Sequence, residues 1–133
     1  MLAIGADGVQ IGTRFITTIE YDANQHYKER HLQANLADIV TVPSPVGKPS
    51  RALRNVFAEQ IMTDSSQKRR CIANCLDTFL FRDQGKTYCL LNALAQAARG
   101  DVEHGLIFSG ANISHPEYII SVAELMADLT AKV

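Results

Sequence analysis

The chain has 133 residues, with hydrophobic residues at 47% and charged residues at 20%, so it has the composition of one globular domain and not of a disordered segment. A formal net charge of -1 gives no reason to expect nucleic acid or an anionic membrane surface as a partner. No run approaches the ~20 apolar residues of a membrane helix, and Met1–Gly5 has neither the basic nor the long apolar region of a secretory signal.

In chain order, Leu2-Ala3-Ile4 reads as the last turn of a helix with Gly5 as its stop. Val9 and Ile11 alternate with Gln10 between glycines, which predicts a short strand over 9–11. Gly12-Thr13 then opens a loop whose backbone N–H groups and threonine hydroxyl could meet an anion. A helix follows from Asp22, as cap, to about Asn35, with Gln25 at the capping-box position and a thin apolar face of Tyr27, His31 and Ala34. Glu20 and Asp22 are expected to be capping carboxylates and not an acid–base pair, and His26 and His31 to lie on a solvated helix face.

Asp38–Val42 is a strand candidate, followed by a rigid loop containing Pro43, Pro45, Gly47 and Pro49 and a helix from about Leu53 to Met62. Asp64–Arg70 is polar, and its Lys68-Arg69-Arg70 run reads as a solvated face, with anion binding as the alternative. Tyr88–Arg99 is a helix with Leu90, Leu91, Leu94 and Ala98 as its stripe and Gly100 as its stop. The last helix opens with a Ser121/Glu124 capping box and an Ile120/Leu125 staple, and Val122, Leu125, Met126, Leu129 and Val133 share one face.

The cysteines are Cys71, Cys75 and Cys89, an odd number that reads as reduced thiols in the cytoplasm. With His104 they could supply four zinc ligands, but their spacing fits no common zinc module, so no metal is assigned.

The stretch Leu2 to Phe15, and Gly8-Val9-Gln10-Ile11-Gly12-Thr13-Arg14-Phe15 within it, resembles the eighth barrel strand of the nitronate monooxygenase family, formerly called 2-nitropropane dioxygenases. FMN-dependent enoyl-acyl-carrier-protein reductases are close relatives that share it. The likeness continues through Tyr27-Lys28, Asp38–Thr41, Gly47–Arg51, Arg54-Asn55, Tyr88-Cys89, Gly100-Asp101, Gly105-Leu106, Gly110 and Ser121–Leu125, so it covers nearly the whole chain. It implies an α/β fold: the C-terminal portion of a (β/α)8 TIM barrel with a smaller, mainly helical second domain, and mostly helical in isolation. On that reading residues 1–20 hold the last barrel strand, 21–105 the second domain and 106–133 the closing barrel helix.

The resemblance also implies a flavin-dependent oxidoreductase that oxidises alkyl nitronates with FMN and dioxygen, with Gln10, Ile11, Gly12 and Thr13 helping to bind the FMN phosphate. The family's catalytic histidine lies in the part that this sequence does not match, so no catalytic residue is assigned. His115 stands near a position where relatives often carry arginine. The alternatives are an enoyl-acyl-carrier-protein reductase portion, or a non-catalytic piece. A piece lacking seven strands is expected to bind FMN poorly, to self-associate, or to need a complementing chain that carries the N-terminal barrel.

Overall fold

The computed structural model describes residues 2–63, 88–111, 113 and 118–131. Cys71, Cys75, Lys68–Arg70, Asn112 and His115 lie outside them. The described elements are a 3-10 turn at Leu2–Ile4, α1 (Thr13–Ile16), α2 (Gln25–Gln33), a 3-10 turn at Leu36–Asp38, β1 (Ile39–Val42), β2 (Ser50–Leu53), α3 (Val56–Thr63), α4 (Leu90–Ala98) and α5 (Val122–Thr130).

β1 and β2 form an antiparallel hairpin with Val40 opposite Ala52 and Thr41 opposite Arg51. β2 corrects the expectation of a helix starting at Leu53. Ser-Arg-Ala-Leu carries no strong strand signal of its own; it becomes a strand because it is paired on both sides. On its second side Phe108 bridges Ala52, flanked by Leu53 N–H donating to the Ile107 carbonyl at 2.8 Å and Ser109 N–H donating to Arg51 at 3.2 Å. Residues 106–110, grouped by sequence with the closing helix, are thus hydrogen-bonded to the hairpin. The expected strand at Val9–Ile11 is absent: residues 8–12 are irregular and exposed. The alternation there suits a strand, but a strand needs a neighbour, and none of the described residues pairs with this one.

The core forms two clusters on either side of this small sheet. Val40, Val42 and Ala52 pack with Phe57, Ala58 and Ile61 of α3, and Tyr88 meets Phe57 edge-on at 5.3 Å. Leu53 and Ile107 pack instead with Tyr27, Ala34 and Ala97. Fully burying such aliphatic and aromatic side chains contributes about 1.5–3 kcal/mol each. In α4 the buried face is Ala93 and Ala97, with Leu90 and Leu94 packed against the first cluster, while Leu91, expected in the stripe, is exposed. The small alanines let other backbone approach α4 closely. A Cβ on Gly105 would stand 2.3 Å from the Ala97 backbone nitrogen, so only glycine fits. Gly100 ends α4 at φ +106, and a Cβ there would strike the Asn24 side chain.

That contact fixes where α2 begins. Asn24 N–H donates to the Ala98 carbonyl, and the Asn24 side chain accepts from His26 N–H at 2.9 Å. Asn24, not Asp22, is therefore the cap, and the helix ends at Gln33. The α2 face is not solvated: Tyr27, Lys28 and Ala34 are buried and His31 is 1% exposed. His31 is a correction to the expectation of a surface histidine. Its Nδ1 lies 3.0 Å from the Tyr27 carbonyl and its Nε2 3.3 Å from the Phe108 carbonyl, so the ring ties α2 to the 106–110 segment. α5 opens as expected, with Ser121 and Glu124 closing a reciprocal capping box and Ile120 and Leu125 buried. Among the described residues of its apolar stripe only Leu125 is buried, and Met126 is 46% exposed; Val133 lies outside the described residues.

Burial, the largest influence, lowers the His31 pKa; hydrogen bonding to the Tyr27 and Phe108 carbonyls opposes this, and Arg30 adds to the lowering. The unfolded chain takes up a proton near the ordinary histidine value of about 6.5, where the folded chain does not. Below that pH the unfolded state binds more protons, so stability falls as the medium is acidified towards the lowered folded value. We expect the urea midpoint to drop between about pH 7 and pH 5, and the drop to shrink in His31→Gln; equal pH slopes for the two proteins would contradict this.

Asn55 gives a second prediction. Its buried amide donates to the carbonyls of Val102 at 2.7 Å and Gly105 at 2.8 Å and accepts from Ala58 N–H at 2.8 Å. Asn55→Ala strands these groups and is expected to cost about 2–4 kcal/mol in urea unfolding, whereas a loss below about 0.5 kcal/mol would refute the account.

Candidate functional site

Gly12 precedes α1, a single helical turn of four residues, and its carbonyl accepts from Phe15 N–H at 2.9 Å. The first N–H groups of any helical turn have no partner within it, so those of Thr13 and Arg14 are open to an acceptor. Thr13 has a defined orientation. Its Oγ1 accepts a hydrogen bond from Gly110 N–H at 2.9 Å, which leaves its own hydroxyl proton free to donate. Gln10, Ile11 and Gly12 are exposed and Thr13 is half-buried. Nothing lies within 4 Å of where a Cβ would stand on Gly8 or Gly12, so the backbone is open to a ligand. Gln10, Ile11, Gly12 and Thr13 thus lie together on one open loop whose far end, Thr13, is anchored.

The anchor is built from groups that local sequence patterns do not reveal. Thr17 and Thr18 are buried just after α1, and their hydroxyls donate to the carbonyls of Arg14 at 3.1 Å and Phe15 at 2.8 Å. Arg14 turns its guanidinium back to Thr17 Oγ1 at 2.7 Å. The buried ammonium of Lys28 donates to the carbonyls of Thr18 at 2.9 Å and Ile19 at 3.0 Å. A buried lysine held by two carbonyls, with no carboxylate among these bonds, locks the exit of the turn onto α2. The next step ties it to α5: Thr18 bridges Ile120 in parallel, Ile19 N–H donates to the Ile120 carbonyl, and Glu20 accepts from Val122 N–H at 2.9 Å. Glu20 is a capping carboxylate as expected, but the helix it caps is the last one. The one available signal was the placement of Lys28 on the same face as Tyr27 and His31, a costly position for an unpaired charge.

A second open feature adjoins the first. Thr41, Pro49, Ser50, Arg51, Phe108 and Ser109 line a groove of about 510 Å³, and Ser109 is the neighbour of the Gly110 that holds Thr13. Arg51 is exposed and makes no ion pair or side-chain hydrogen bond with the described residues.

The remaining candidates do not converge. His104 Nδ1 lies 2.9 Å from the Asp101 carboxylate on the surface, where that hydrogen bond lowers the Asp101 pKa. Cys89 is a free, half-buried thiol at the start of α4. Among the described residues no group of three or more His, Cys, Asp or Glu side chains could hold a metal ion, and no helix is long and apolar enough to cross a membrane.

A comparison with family profiles matches residues 1–132 to the family described as Nitronate monooxygenase. Among curated proteins, the chain is 38% identical over 60 residues to a "Probable nitronate monooxygenase" of Staphylococcus saprophyticus, covering 45% of this chain and 17% of the relative. It is 41% identical over 56 residues to its namesake from Staphylococcus haemolyticus, covering 42% and 16%. Among solved structures, FabK from Thermotoga maritima superposes with a TM-score of 0.72 at 27% identity, covering 98% of this chain and 38% of FabK. The aligned segments thus span about a sixth of the length of those curated relatives, and the chain less than half of FabK. It is an α/β chain whose fold corresponds to part of the FabK structure. With the family profile spanning all but its last residue, the chain belongs to the nitronate monooxygenase family.

Proposed function

We propose that this chain provides part of the FMN-phosphate site and the second domain of a flavin-dependent nitronate monooxygenase. The observation that supports it is the loop 10–13, with its exposed backbone and the Thr13 hydroxyl turned by Gly110 so that its proton is free. A phosphate there would accept from the N–H groups of Gly12 and Thr13 and from the Thr13 hydroxyl, with Gln10 and Ile11 flanking it. One helical turn contributes only a small dipole, so these direct donors carry the binding. When bound, FMN supplies the redox chemistry, carrying electrons from an alkyl nitronate to dioxygen. The part of this chain is to hold the phosphate end, through Thr13, and to keep that end fixed against α2 and α5 through Lys28, Thr18 and Ile120. No catalytic residue is assigned among the described residues.

The likeness to FabK supports a second reading, FMN-dependent reduction of an enoyl-acyl-carrier-protein. Ile4 at 80% exposure, Val9 at 52% and Ile19 at 65% support a third element of the proposal. These apolar residues would be covered by a chain carrying the barrel strands that relatives have outside the matched segment, or by self-association without it. A cytoplasmic setting for the enzyme fits the odd cysteine number.

The test of function is complementation. We expect this chain alone to consume no oxygen with FMN and an alkyl nitronate, and the chain co-expressed with one carrying the remaining barrel strands to consume it. Enoyl-thioester reduction without nitronate oxidation by that complex would select the second reading; a complex with neither activity would refute both. FMN binding tests the chain by itself. A flavin site normally encloses most of its ligand, so fluorescence titration is expected to show a Kd weaker than about 1 μM, and tighter binding would contradict the partial site.

A further inference from the structure

The groove beside the hairpin has a donor pattern that the FMN reading does not use. β1 places Thr41 opposite Arg51, and the backbone bond from Ser109 to Arg51 places Ser109 on the other flank of the same residue. Side chains alternate across a strand, so residues directly opposite one another share a face. Thr41, Arg51 and Ser109 therefore form one row across three adjacent backbones, a guanidinium between two hydroxyls. Pro49 adds an apolar edge to the groove, while Ser50 and Phe108, which alternate with the row, line it from the other face of the sheet.

We propose that this row binds the phosphate of a small organic phosphate monoester, at a site separate from the loop 10–13. Arg51 has no carboxylate or other side-chain partner among the described residues, so its fork of donors is available. A carboxylate would be satisfied by that fork alone. A phosphate has a further oxygen to place, and the hydroxyls beside Arg51 meet it from a second direction. The groove's volume of about 510 Å³ exceeds what the phosphate needs and leaves room for a small organic group beside Pro49. Such a volume is ordinary for a small-molecule site. The row sits on a sheet, and Ala52, next to Arg51, is fully buried, so the donors are held by hydrogen-bonded backbone.

The experiment is an NMR titration of the chain with three probes of similar size: phenyl phosphate, benzoate and phenol. We expect phenyl phosphate to shift the amides of Ser50, Arg51 and Ser109, to bind at least about fivefold more tightly than benzoate, and phenol not to bind. Arg51 is exposed, so Arg51→Gln should leave the spectrum folded while weakening phenyl phosphate at least about tenfold. Arg51→Lys should recover only part of the affinity, because it restores the charge without the fork. Arg54→Gln, which removes a nearby exposed charge of the same sign, should change nothing. Equal binding of benzoate, full affinity in Arg51→Gln, or no binding of phenyl phosphate would each overturn the proposal. Shifts confined to Gly12 and Thr13 would overturn it too, while leaving the FMN-phosphate reading standing.

Discussion

Residues 105–110 are the strip of backbone on which the rest of this structure depends. A two-stranded hairpin alone is marginally stable in water, and β1 with β2 is only that. The strip supplies the third side. Leu106 N–H donates to α4 at the Ala93 carbonyl, the Ile107 carbonyl accepts from β2, the Phe108 carbonyl meets His31 of α2, and Gly110 N–H reaches Thr13. Gly105 must lack a side chain because the strip begins against the α4 backbone. Each bond contributes only about 0.5–1.5 kcal/mol net, but they fall on four different elements. Shifting the strip by one residue would break all of them and move Leu106 and Ile107, both fully buried, out of their clusters.

The same strip links the fold to the candidate site. Thr13 is oriented by Gly110, and Ser109 next to it belongs to the groove at Arg51. His31, Lys28 and Asn55 are polar groups placed inside and met by backbone groups: Lys28 donates to two carbonyls, Asn55 donates to two carbonyls and accepts from Ala58 N–H, and the His31 ring lies against the carbonyls of Tyr27 and Phe108, so that each holds separate elements together. No buried side-chain nitrogen or oxygen lacks a partner among the described residues. A satisfied polar interior of this kind specifies one arrangement, because any slip leaves a carbonyl or an ammonium desolvated without a partner.

What the sequence revealed follows from the range of the interactions. The Ser121/Glu124 box, the Gly100 stop and the β1 strand were legible because each depends on a few neighbouring residues. Of the loop 10–13, only its Gly12-Thr13 end was legible as a loop opening, while Gln10 and Ile11 carried the alternation of a strand. β2 was not, since Ser50–Leu53 is a strand only through partners on both flanks. The cap of α2 moved from Asp22 to Asn24 because the end of α4 binds Asn24, an interaction between residues more than seventy positions apart. Val9–Ile11 shows the converse: it has the alternation of a strand and no ladder among the described residues. His31 was misplaced because a histidine on a polar helix gives no local sign of the two carbonyls that receive it.

The central claim is that the 105–110 strip and the hairpin form the stable unit, and that the segment bearing Gln10, Ile11 and Gly12 lies outside it. Amide hydrogen exchange reads this directly, since protection reports which backbone groups stay bonded. The account predicts the slowest exchange at Leu53, Leu106 and Ser109, and near-unprotected exchange at Val9, Gln10 and Ile11. Protection of Val9–Ile11 equal to that of Leu53, or rapid exchange at Leu53 and Leu106, would contradict it.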